Sequence, residues 1–136
     1  MNPEESVRRA EEAYQSQDVD RIVELFDPEI VFYWNGRKQG EGLAEVRAVH
    51  EGMFAEELEG YEIRKTLRAA SGDTIAVEWT TTWIDTDGNR NGGYGGEFWT
   101  MRDGRLPEWH AYHRQYVHDG ADDEEGDEYL NPRSEE

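Results

Sequence analysis

A chain of 136 residues is one domain's worth, and its four Phe, five Trp and seven Tyr supply a packed core despite a charged fraction of 34%. The 32 acidic against 14 basic residues leave a formal charge of -18, which argues against a nucleic acid partner. The absence of cysteine excludes disulfides, thiolate metal sites and cysteine nucleophiles. No stretch reaches the roughly 18 apolar residues of a membrane span. Residues 1–5 show neither the basic start nor the apolar run of a signal peptide, so a cytoplasmic protein with no membrane partner is expected.

Asn2 as N-cap, Pro3 in the first turn and Glu5 predict a helix with Val7, Ala10, Ala13 and Tyr14 on its apolar side. Asp18 caps a second, shorter helix whose apolar residues Ile22, Val23, Leu25 and Phe26 run up to Asp27-Pro28, where proline disfavours helix in the residue before it. Ile30 to Trp34 is β-branched and aromatic, a strand ended by the turn dipeptide Asn35-Gly36. A third helix is expected over about residues 41–58, with Leu43, Val46, His50, Met53, Phe54 and Leu58 at helical spacing.

From Tyr61 the period becomes two. Tyr61/Ile63/Leu67/Ala69, Ile75/Val77/Trp79/Thr81/Trp83 and Glu97/Trp99/Met101 alternate, and a fourth strand runs from Arg105 to about Val117. Turns at residues 71–73, 85–89 and 103–104 make this an antiparallel meander. Three helices ahead of such a sheet specify an α+β fold in which the helices cover one face of an antiparallel sheet. Residues 1–118 are expected to form the domain. Residues 119–136, with nine acids and one base, read as a solvated acidic tail.

Asp18, the run Leu25-Phe26-Asp27-Pro28-Glu29-Ile30-Val31-Phe32, the helix after Gly40-Glu41-Gly42 and the closing segment Asp103-Gly104-Arg105-Leu106-Pro107-Glu108-Trp109-His110-Ala111-Tyr112 resemble the nuclear transport factor 2-like superfamily. Within it they resemble the SnoaL-like branch. The resemblance covers about residues 5–117 and implies a cone: a curved sheet wrapped around a long helix, with a pocket at the wide end. It implies no single activity, because such domains include isomerases, dehydratases, epoxide hydrolases and polyketide cyclases as well as noncatalytic binding proteins. By the same resemblance, the general base of the ketosteroid isomerases would fall on Trp34. Their tyrosine donor would fall on Ala10, with Tyr14 one turn further on. An epoxide hydrolase aspartate would fall on Ala111, and a strand arginine and aspartate near Trp79 and Thr81. Neither activity is inherited.

One acid survives that comparison. Glu97 resembles the isomerases' second, hydrogen-bond-donating acid, and strand parity puts it on the face of Trp99 and Met101. A carboxyl among aromatics loses hydration, so its pKa should rise and suit a proton donor or a base near neutrality. The alternative is a glutamate bonded to a backbone amide or to Arg114. Among histidines, His113 shares a strand face with Trp109 and Ala111, which the resemblance makes the pocket face. His110 joins it only if a bulge at Pro107 shifts the register. His50, on the apolar stripe of the third helix, reads as a core or pocket group.

Tyr14, Trp34, Trp79, Thr81, Trp83 and Trp99 are candidate walls for a small hydrophobic or aromatic molecule; beside a carboxylate they would equally suit a cation. The calcium-like run from Asp85 carries Arg90 where glycine is required, and His110 and His113 point to opposite strand faces, so neither a metal nor a cofactor is expected. The expected function is that of a SnoaL-like small-molecule enzyme working by cofactor-independent proton transfer, of isomerase, cyclase, dehydratase or hydrolase type. The alternative is a noncatalytic ligand-binding or dimerisation module. A homodimer is expected through outward residues such as Thr80, Thr82, Ile84 and Tyr112. With Lys38 and Lys65 the only lysines, the acidic surface points to a halophilic source, where the Debye length is roughly 3 Å.

Overall fold

The computed structural model describes residues 2–117, so the acidic tail and His118 lie outside the described residues. Asn2 opens the first helix, its side-chain oxygen accepting the backbone N–H groups of Glu4 and Glu5. The element order is α1 (Pro3–Gln15), α2 (Val19–Val23), β1 (Phe26–Trp34), β2 (Arg37–Glu41), α3 (Leu43–Met53), β3 (Glu59–Ser71), β4 (Thr74–Ile84), β5 (Arg90–Arg102) and β6 (Arg105–Val117). The helices pack on one face of a six-stranded sheet of order β2-β1-β6-β5-β4-β3. The fold is therefore α+β, as the patterning requires.

Four local expectations are corrected. The sheet is mixed, because β1 runs parallel to β6 while every other pairing is antiparallel. Leu25 and Phe26 leave the helix: α2 stops at Val23, and Phe26 instead opens β1 opposite Leu106. Pro28 then sits in an irregular stretch of β1, between the paired residues Phe26 and Val31, where its missing N–H leaves no ladder bond unmade. After Asn35-Gly36 the chain continues as β2, an edge strand whose one buried residue is Gly40, packed where a Cβ would come within 3.2 Å of α3. Finally, α3 is shorter than its apolar spacing implies and ends at Met53.

The free edge of β3 is covered by side chains of α1. Gln15 donates to the Tyr61 carbonyl and accepts from the Ile63 N–H, and Glu11 accepts from the Lys65 N–H at 2.8 Å. This pins the register of β3 and fixes which of its residues face inward. Across the sheet, Lys65, Trp79, Gly95 and His113 are successive partners from β3 to β6. Val77, Glu97 and Ala111 form the next row, which Trp34 of β1 extends. Ile75, Trp99, Trp109 and Phe32 form the row beyond, all four within the buried core.

The glycine run 92–96 keeps an unbroken register with β4, so it is a bend rather than a bulge. Its reason is steric. A Cβ on Gly95 would lie 1.7 Å from the Tyr112 carbonyl oxygen, so only glycine lets β6 curl this tightly over β5. That curl swings His113 towards Trp79 and closes one side of a cavity.

Candidate functional site

The cavity, about 440 Å³, opens at the end of the sheet where β4 finishes and β5 begins. Tyr14 of α1, Val49 of α3, Trp34 of β1 and Trp79, Thr81, Trp83 and Trp109 of β4 and β6 wall it, together with Glu97, Lys65 and His113. A larger surface hollow of about 770 Å³ lies at the opposite end, around Asp73, Arg102 and Asp103. Turn residues line it and Arg102 is tied to Asp27 and Glu29, so no reactive groups converge there.

Inside the cavity, Lys65 Nζ lies 2.9 Å from each Glu97 oxygen, with the two side chains only 1% and 4% exposed. Trp99 Nε1–H donates to Glu97 Oε1 at 3.1 Å. Burial pushes the Glu97 carboxyl up, and the Lys65 ammonium and the Trp99 hydrogen bond pull it back. Lys65 Nζ also sits 5.0 to 6.0 Å from the ring centroids of Tyr14, Trp109, Trp79 and Trp99. An aromatic box with a carboxylate is how proteins hold ammonium ligands. Here the chain's own lysine fills the box.

Beside it, the hydrogen-bond directions of a second pair follow from chemistry. His50 Nδ1 lies 2.8 Å from the Val46 carbonyl, which can only accept, so Nδ1 carries the proton. Nε2 is then the acceptor, and the Tyr14 hydroxyl donates a hydrogen bond to it at 2.7 Å. Burial lowers the His50 pKa to about 4 and raises that of Tyr14, so both are neutral at pH 7. His50 is completely buried behind Tyr14 and does not line the cavity itself.

His113 stands at the rim, its ring 4.4 Å from that of Trp34 and stacked at 6.4 Å on Trp79. Asn35 Oδ1 accepts the His113 backbone N–H, so Asn35 Nδ2 is the donor to His113 Nδ1, leaving Nε2–H as the group that a ligand would meet. Desolvation lowers its pKa and favours this neutral form.

Of the sequence candidates, Glu97, His113, Tyr14, Trp34, Trp79, Thr81 and Trp83 come together around the cavity. His110 does not. A bulge does interrupt the β5–β6 ladder at Leu106 and Pro107, but from Trp109 onward 109, 111 and 113 face inward. His110 lies on the outer face, stacked 4.2 Å from Tyr33 and bonded to Glu108. Trp99 is buried behind Glu97, stacked on Trp109 at 4.8 Å, and is a support rather than a wall. Glu97 pairs with Lys65 rather than Arg114, and Lys65 is the residue that sequence reasoning missed. Its signal was available: it shares strand parity with Ile63 and Leu67. Among the described residues, no three His, Asp or Glu side chains converge as metal donors.

The SnoaL-like domain family matches residues 7–109. No curated protein sequence matches the chain. Similar solved structures include SalBIII, an epoxide hydrolase/cyclase-like enzyme with a role in pyran ring formation in the polyether salinomycin. It has a TM-score of 0.71 and 21% identity, covering 82% of this chain and 90% of that one. An LEH-like epoxide hydrolase from M. tuberculosis aligns with a TM-score of 0.64 and 18% identity over 82% of each chain. TerC, crystallised with polyporic acid, aligns with a TM-score of 0.63 and 17% identity over 90% of this chain and 95% of that one. At these identities the likeness establishes a common fold.

Proposed function

The chain belongs to the SnoaL-like domain family, and from that premise we propose that its cavity takes a small hydrophobic or aromatic molecule and moves a proton on it without a cofactor. The observation that carries this reading is the buried Lys65–Glu97 pair among aromatic walls. A buried ion pair is weak evidence for stability, since apolar residues of similar volume often serve as well or better. A pair kept in a cavity is better explained by what the cavity holds.

When a substrate carbonyl oxygen takes one N–H of Lys65, the hold on Glu97 loosens. Glu97 then removes a proton from the adjacent carbon. The electron pair moves onto the oxygen, where the ammonium stabilises the developing charge, and the proton stays on Glu97 until it is returned at the new position. Tyr14, its own proton committed to His50, accepts from a substrate hydroxyl, and His113 Nε2–H orients a second oxygen at the rim. The ring-forming chemistry named for SalBIII and the polyporic acid held by TerC support an oxygenated cyclic ligand.

Deuterium exchange at the α-carbon of an enolisable benzo-fused ketone such as 2-tetralone, followed by NMR, tests this without knowledge of the natural product. Exchange should exceed the buffer rate and fall by about 10²-fold or more in Glu97→Gln, with binding little changed. Binding without exchange would favour the noncatalytic module. The closed geometry of the pair, in which Oε1 already accepts two hydrogen bonds, is the observation on that side.

We place this activity within residues 1–118, in a cytoplasmic homodimer from a high-salt cell. The dimer face would be the outer sheet surface, where Phe98 and Tyr112 are exposed and pack edge to face at 6.3 Å. Light scattering of Tyr112→Asp against the parent chain tests that face.

A further inference from the structure

Two of the cavity's tryptophans carry donors with nothing to donate to. Trp79 and Trp109 are 6% and 1% exposed, and neither indole Nε1–H has a hydrogen-bond partner among the described residues. A buried donor left unmade costs about 1–3 kcal/mol. Both rings flank Lys65 Nζ, at 5.8 and 5.2 Å, and Lys65 spends two hydrogen bonds of its three N–H groups on Glu97. The neighbouring acceptors do not answer this need. Glu97 is taken up by Lys65 and Trp99, His50 Nε2 by Tyr14, and His113 Nδ1 by Asn35, while Thr81 Oγ1 on the same wall is also unpartnered and brings a donor as well as an acceptor. The cavity therefore has an excess of donors around a cation, and its aromatic box is closed to a second cation because Lys65 already occupies it.

We propose that the occupant is a planar apolar molecule bearing an anionic oxygen, a carboxylate, phenolate or enolate, that sits among Lys65, Trp79 and Trp109. This rests on the reading of the cavity as the ligand site and names its ligand class. Within that class, the ring lies against Trp34, Trp83 and Tyr61, and the oxygen reaches the buried wall. An anion there competes with Glu97 for Lys65, so neutralising Glu97 strengthens binding.

The test uses three naphthalene probes of similar shape: 2-naphthoate, the uncharged 2-acetonaphthone, and 2-naphthylmethylammonium. Each is titrated calorimetrically and by NMR of the indole N–H resonances in 2 M KCl. The 2-naphthoate should bind at least 10-fold more tightly than either companion and should shift the indole resonances assigned through Trp79→Phe and Trp109→Phe. Glu97→Gln should tighten 2-naphthoate several-fold, and Lys65→Met should erase its advantage. Since Lys65→Met also strips a buried partner, Trp79→Phe, which keeps an aromatic ring of smaller size and removes the N–H, supplies an independent loss. Equal or tighter binding of the ammonium or the ketone, unmoved indole resonances, or weaker naphthoate binding in Glu97→Gln would overturn the proposal. Naphthoate preference without ketone exchange would leave the anion site standing and remove the catalytic reading; no binding of any probe would remove both.

Discussion

Replacing Lys65 by Met removes the cation paired with Glu97 while keeping most of the apolar stem. The carboxylate, 4% exposed, would be left with the Trp99 N–H as its remaining hydrogen bond. Stripping one partner from a buried pair typically costs about 3–5 kcal/mol. The cost should depend on pH in a fixed direction. The folded pKa of Glu97 is raised above its unfolded value of about 4.3, so the folded state holds its proton longer and stability falls as pH rises through that window. Without Lys65 the window extends upward, each pH unit costing about 1.4 kcal/mol until the folded carboxyl ionises. Urea unfolding followed by tryptophan fluorescence in 2 M KCl should therefore give a loss of about 3–5 kcal/mol at pH 8 that shrinks to about 1 kcal/mol near pH 5. The double variant Lys65→Met/Glu97→Leu should recover to within about 1 kcal/mol of the parent. A pH 8 loss under about 1 kcal/mol, or one that does not shrink in acid, would refute the buried pair.

Three further outcomes can be checked on the same material. Gly95→Ala should cost about 3 kcal/mol or prevent folding, because its Cβ would meet the Tyr112 carbonyl oxygen at 1.7 Å, whereas Gly36→Ala meets no atom within 4 Å and strains only its positive φ. His50, with its pKa lowered to about 4, stabilises fully above about pH 6.5 and loses that contribution as pH falls towards 4. The parent should thus lose about 3 kcal/mol more than His50→Gln between those pH values, measured by urea unfolding. With a formal charge of -18, the thermal midpoint should rise markedly between about 0.1 and 2 M KCl but not in matched sucrose; a flat response would remove the halophilic reading.

The elements that could be read directly are those whose signal is local. Asn2 and Asp18 cap their helices by their own side chains, and the period-two alternation of β3 to β6 needs no distant partner to be seen. Phe26 is different. It continues the apolar spacing of α2, and only pairing with Leu106, far along the chain, converts it to strand. Arg37–Glu41 has no apolar alternation because it is an edge strand with a single buried residue. Within the site, Glu97 and His113 were legible from parity, and His50 from its helical stripe. Lys65 was hidden by treating charge as surface. A lysine at inward parity on one strand and a glutamate at inward parity on another is itself a signature of a buried pair, since neither charge is stable alone in a core.

The positions where the resemblance places family acids explain why the pair takes this form. Trp34 and Ala111 are partners across β1 and β6, and Ala111 lies directly opposite Glu97 across β5 and β6. A carboxylate at 111 would stand about 5 Å from Glu97 along the backbone pairing, and two like charges in a dry cavity would force one to hold a proton. With a methyl group at 111 and an indole at 34, a single negative charge remains, and Lys65 of β3 reaches across β4 to pair with it. The consequence is chemical as well as electrostatic. Two acids that share a proton offer one donor and one base to the same substrate atom region, whereas an acid with an ammonium offers a base together with a permanent partner for negative oxygen. The first arrangement suits breaking a neutral ring bond between the two groups. The second suits making or holding an anion, which is the chemistry that the unpartnered indoles of Trp79 and Trp109 also call for.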